Sequence, residues 1–153
     1  MKITLLVRCD ETNKPPALEM ELVEKKEYTI SGSEYSNITF LLKNHFTKRN
    51  FLIELVLHKN NIEEISFSST TEHEVEKLLS SKKDYSLLPT EEKDLRDTIS
   101  KLFFQILIKS KLKASDLWCC QPSPEFYPLI PTYFQFVRIL EVKEDIEKIL
   151  ERF

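Results

Sequence analysis

The sequence predicts an α+β fold: a mainly antiparallel sheet from the N-terminal half, helices packed on one face, and a strand and helix at the C-terminal end. Three observations carry this expectation. Apolar residues alternate with period two through much of the first 68 residues, the signature of half-buried strands. From Thr71 the spacing changes to three and four, which is helical. Four prolines then crowd residues 122–131, ahead of a stretch rich in β-branched and aromatic side chains. At 153 residues the chain has the length of one domain over 1–153. A domain of that size buries roughly two-thirds of its unfolded surface and needs no metal or disulfide staple.

The first strand places Ile3, Leu5, Val7 and Cys9 on one face. A second follows the polar residues 10–16, with Leu18, Met20 and Leu22 inward and Glu19 and Glu21 outward, so the two read as an antiparallel hairpin. Residues 31–46 fit either period: Tyr35, Ile38 and Leu42 suit a helix, whereas Ile38, Phe40 and Leu42 suit a strand, and the strand is preferred. Residues 51–57 are almost continuously apolar, as a strand covered on both faces would be, and are assigned to the centre of the sheet. Asn60-Asn61 supplies a tight turn into a strand over 62–68, because asparagine tolerates the left-handed backbone glycine usually fills.

Thr71 and Glu74 have the spacing of a capping box, and Val75, Leu78 and Leu79 form one stripe of a short helix ending near Ser81. Pro89 and Thr90 open a longer helix whose inward face is Leu95, Ile99, Leu102, Phe103, Ile106 and Leu107. Glu91 and Glu92 in its first turn and Lys109, Lys111 and Lys113 near its end match the helix dipole. Pro122, Pro124, Pro128 and Pro131 argue against helix or central strand there. Residues 132–142 then read as a strand, and a last helix from about Lys143 puts Ile146, Ile149, Leu150 and Phe153 on one face.

Composition excludes several chemistries. The chain has a single glycine, Gly32, where average usage of ~7% would supply about ten. Phosphate-cradling loops, dinucleotide-binding turns and nucleophile elbows need glycine for backbone that a Cβ forbids, so none is expected. A formal net charge of −3 lacks the excess of a general nucleic-acid binder. No apolar run approaches the ~20 residues that span a bilayer, and the short N-terminal apolar run reads as a strand, so the chain is expected inside the cell, in cytoplasm or nucleus.

No cofactor or metal site is expected either. Cys9 beside Asp10, with His45, His58 and His73 elsewhere, could form a thiol and base, but Cys9 is expected as a small core residue. Cys119 and Cys120 lack the two-to-four-residue spacing of zinc ligands, and adjacent thiols point apart.

Two surfaces are candidates for binding. Trp118 and the proline-stiffened Phe126, Tyr127, Leu129 and Ile130 could present apolar anchors to another protein chain. Lys43, His45, Lys48 and Arg49 around Phe46 could hold a nucleic-acid strand by phosphate contact and stacking. The expected function is a non-catalytic interaction module, a subunit or adaptor of a larger complex. A nucleic-acid accessory protein and an enzyme with an unrecognised thiol or carboxylate site are the alternatives.

Overall fold

The computed structural model describes residues 1–9, 13–59 and 61–153. Alternating apolar residues in the N-terminal half form β1 (Lys2–Arg8), β2 (Leu18–Ile30), β3 (Ser33–Asn44), β4 (Arg49–His58) and β5 (Asn61–Thr70). Each pairs antiparallel with the next. A three-residue strand, β6 (Cys120–Pro122), pairs antiparallel with β1, and the sheet runs β5-β4-β3-β2-β1-β6. The fold is α+β, and residues 31–46 are largely strand.

The turns explain how a glycine-poor chain makes long hairpins. Ser31 (φ 50°) and Gly32 (φ 81°) both take left-handed backbone between Ile30 and its partner Ser33, the geometry of a two-residue turn that follows the twist of its strands. Lys48 (φ 57°) and Lys59 (φ 48°) occupy the same region at the next two turns. The expected turn at Asn60-Asn61 rests partly on Asn60, which lies outside the described residues, as does Asp10; Asn61 opens β5.

One face of the sheet carries the main core. Met20, Leu22, Ile38, Phe40, Leu42, Phe51, Ile53 and Leu55 pack with the six predicted residues of α2 (Pro89–Lys109). The opposite face is covered locally by α1 (Glu72–Ser80), whose Val75 and Leu79 meet Val23, Leu41 and Leu52. The two-sided burial expected of residues 51–57 therefore belongs to β2 and β3. β4 sits one strand in from the edge, with Glu54 exposed between Ile53 and Leu55.

Cys9 also departs from expectation. β1 pairs Thr4 with Glu19 but Leu6 with Leu18, so a bulge inserts one residue and reverses the alternation. Leu5 and Leu6 are both fully buried, Leu6 and Arg8 then face buried Pro122 and Cys120, and Cys9 is left exposed.

The C-terminal third holds the largest correction. Residues 132–142 are not a strand: α4 runs unbroken over Ile130–Leu150. Tyr133 and Val137 are buried four residues apart, and half-buried Leu140 continues the row, so the helical period prevails over β-branched composition. Prolines are accommodated because Pro131 lies in the first turn of α4, where its missing N–H costs nothing, and residues Pro124–Leu129 form a 3₁₀ segment. The one late strand is the short β6, which follows the five-residue α3 (Ala114–Trp118).

Candidate functional site

The two predicted surfaces are dealt with differently by the fold. Ser123 donates its backbone N–H to Leu5 O (2.9 Å) and accepts from Phe126 N (2.7 Å), which draws the proline segment back onto the sheet. Phe126 is thereby buried and stacks on Phe103 with ring centroids 5.3 Å apart. Leu129 and Ile130 are half-buried. Trp118 and Tyr127 are the exposed members of the predicted set. Trp118 donates its indole N–H to Glu141, lies 5.9 Å from the Phe134 ring and has the Arg138 guanidinium 6.0 Å from its own. The predicted anchors do not form one patch, and Trp118 joins α4 instead.

The loop between β3 and β4 is organised by Asn44. Its buried amide donates to Ser110 O (2.8 Å) and its Oδ1 accepts the backbone N–H groups of Phe46 (3.0 Å) and Thr47 (3.1 Å). Of the basic side chains, Lys43 donates to Glu21 (3.2 Å) and His45 Nε2 lies 3.0 Å from Glu19. Phe46 is half-buried beneath the Arg8 guanidinium, 4.2 Å from the ring centroid, so its face is already taken. Lys48 and Arg49 are the exposed cations of this set. Burial raises the Glu21 carboxyl, but hydrogen bonds and charge from Lys82 and Lys43 outweigh it and hold the group below its ordinary range.

The three thiols differ in their exposure. Cys9 and Cys119 are exposed and linked through the backbone, Cys9 N–H to Cys119 O at 3.2 Å, whereas Cys120 is buried. The Tyr133 hydroxyl lies below them, donating to Leu117 O, and is raised above its usual range by burial first and by the nearby Cys120, Cys9 and Cys119 second. Among the described residues, no three His, Cys, Asp or Glu side chains stand together as metal ligands would.

The surface that sequence reasoning only half found is the outer face of α4. With 3.6 residues per turn, Tyr133, Val137 and Leu140 point to the body, and Glu144 continues that row by accepting the Ala114 N–H at 2.9 Å. Ile139, Val142, Ile146 and Ile149 project from the opposite side and Phe153 lies just beyond the helix end, each more than half exposed. Ile146, Ile149 and Phe153 belong to the face read from the sequence, together with Leu150; Ile139 and Val142 were hidden by the expectation of a strand over residues 132–142. The steps of three and four from residue 139 to 153 were the available signal. No helix among the described residues is long and apolar enough to cross a membrane.

Comparison with protein-family models, with curated proteins and with solved structures returns no match.

Proposed function

We propose that this chain is a non-catalytic protein-interaction module, a subunit or adaptor of a larger intracellular assembly. The observation that carries the reading is the apolar row on the outer face of α4, which nothing in the chain covers among the described residues. Scattered exposed apolar residues are ordinary on a soluble surface; four aligned on one face of α4, with Phe153 just beyond its end, support a docking role. Trp118 and Phe134 flank its N-terminal end and would widen it.

The test is recovery of the protein from its native source under mild conditions, as the natural chain and as an Ile146→Asp, Ile149→Asp variant. The natural chain should travel in a complex of higher mass, and the variant should not. An unchanged complex would remove α4 as the docking surface. A nucleic-acid partner held by residues 43–49 would have to use Lys48 and Arg49, because Lys43 and His45 are engaged by carboxylates. Binding of that kind would fall steeply with added salt.

A further inference from the structure

We propose that Cys9 and Cys119 are a reversible redox pair, which closes into an intramolecular disulfide by exchange with a low-molecular-weight disulfide such as oxidised glutathione. The proposal stands apart from the docking role of α4 and does not depend on it. The two residues are far apart in the sequence, and the pairing of β1 with β6 brings them face to face. Leu6, Val7 and Arg8 lie opposite Pro122, Gln121 and Cys120, so one further step sets Cys9 opposite Cys119. The backbone takes that step: Ser123 N–H donates to Leu5 O at one end of the ladder, and Cys9 N–H donates to Cys119 O (3.2 Å) at the other. Positions 5 and 9 both fall on the hydrogen-bonded pairs, which recur every second residue in an antiparallel ladder.

This register meets the geometry of a disulfide. Facing Cα atoms in a hydrogen-bonded pair lie ~5.5 Å apart, inside the roughly 4.4–6.8 Å that a disulfide spans. Facing Cβ atoms stand ~4.5–5.5 Å apart against the ~3.5–4.5 Å of the bonded pair, so closure draws the two segments together by about 1 Å. Cys9 follows the last residue of β1 and Cys119 caps α3 just before β6, outside the regular ladder, where such a shift is least opposed. The Cys119 Sγ turns back to Ser115 O at 3.7 Å, a weak contact that one side-chain rotation gives up. Both thiols lie within electrostatic reach of the Tyr133 hydroxyl, which places them together at this end of the ladder. Both are exposed, so a small disulfide can reach them, whereas the neighbouring Cys120 is buried and is bypassed.

The exchange runs in two steps. One cysteine thiolate attacks a sulfur of oxidised glutathione, whose S–S bond breaks and releases one glutathione thiolate. The other cysteine thiolate attacks the protein sulfur of the mixed disulfide, forming the Cys9–Cys119 bond and releasing the second glutathione. The two cysteines give up two electrons and two protons, and one glutathione disulfide becomes two thiols. In a reducing compartment the pair stays as thiols and records a rise in oxidised glutathione. The bond closes a ring on the order of 100 residues, a length at which cross-linking removes much of the freedom of the unfolded chain. It also ties the end of β1 to the late β6, the one pairing in the sheet between segments remote in sequence.

The test holds the reduced full chain, at micromolar concentration, with oxidised glutathione. Its intact mass should fall by two hydrogen atoms with no glutathione retained, and digestion without reductant should yield Cys9 joined to Cys119. Added reduced glutathione should restore the starting mass. Cys120→Ser should behave like the natural chain. Cys9→Ser and Cys119→Ser should stop at the mixed disulfide, each keeping one glutathione on its remaining exposed thiol. Their reduced forms should melt within about 2 °C of the natural chain, as exposed substitutions do, which separates a lost bond from a lost fold. Oxidation should raise the Tm of the natural chain by about 5–15 °C and that of neither variant. Separate glutathione adducts on Cys9 and Cys119 of the natural chain overturn the proposal. So does a disulfide that involves Cys120 or joins two chains, or a Cys9–Cys119 bond that fails to raise the Tm.

Discussion

Asn44 shows how much one polar residue can hold in place. Its amide joins the end of β3 to the end of α2 through Ser110 O, while its carbonyl oxygen satisfies the two backbone donors that open the next loop. Asn44→Ala should therefore destabilise the fold by about 2–3 kcal/mol, since it leaves buried groups unpaired, and urea denaturation would measure it. The cysteines allow a second check at this scale. Cys9 and Cys119 should react with an alkylating reagent in the folded protein, and Cys120 should react only on unfolding; mass spectrometry of the labelled sites reads the difference. Composition correctly set the adjacent thiols apart, but the exposure of Cys9 depends on a bulge that no local pattern announces.

At the scale of elements, the helices were legible where caps and periods agreed. Thr71 Oγ accepts the Glu74 N–H at 3.3 Å, and the Glu74 carboxylate accepts the Thr71 N–H at 2.8 Å, the reciprocal box expected from their spacing. Thr71→Ala should cost about 1 kcal/mol. All six apolar residues assigned to the face of α2 are buried. α4 was misread because Tyr, Phe, Val and Ile favour strands as a class, while burial of Tyr133 and Val137 on one side selects the helix. Its outer face escaped for the same reason: a seam opposite the core becomes visible only once both rows are placed on one helix. Gly32 illustrates the turns. A Cβ there would meet nothing within 4 Å, but φ is +81°, so Gly32→Ala should lower stability by about 1–2 kcal/mol through backbone strain alone, seen as a lower Tm.

For the molecule as a whole, ion pairs between distant segments govern behaviour in acid. Glu21 is held below its ordinary value of 4.5 by Lys82 and Lys43 despite the opposing effect of burial. Glu91 is held below the same value by the Leu88 N–H first and by Lys25 second. A carboxylate lowered in the folded state adds stability that is complete above the unfolded value and disappears as pH falls through the folded one. Stability should therefore decline below about pH 4.5, and Glu21→Gln should make that decline shallower in denaturation curves taken across the acid range. The class of fold was readable because period and turn chemistry are local. Strand order was not, since β6 reaches β1 from the far end of the chain.

That pairing of β6 with β1 bears on how the molecule matures during synthesis. The hairpins from β2 to β5 join neighbours in the chain and can close as each emerges from the ribosome. β1, made well before β6, keeps one flank open until Leu6, Val7 and Arg8 meet Pro122, Gln121 and Cys120. A nascent chain halted after α1 would thus display an unfinished edge beside Leu5 and Leu6, the kind of sticky surface that chaperones engage.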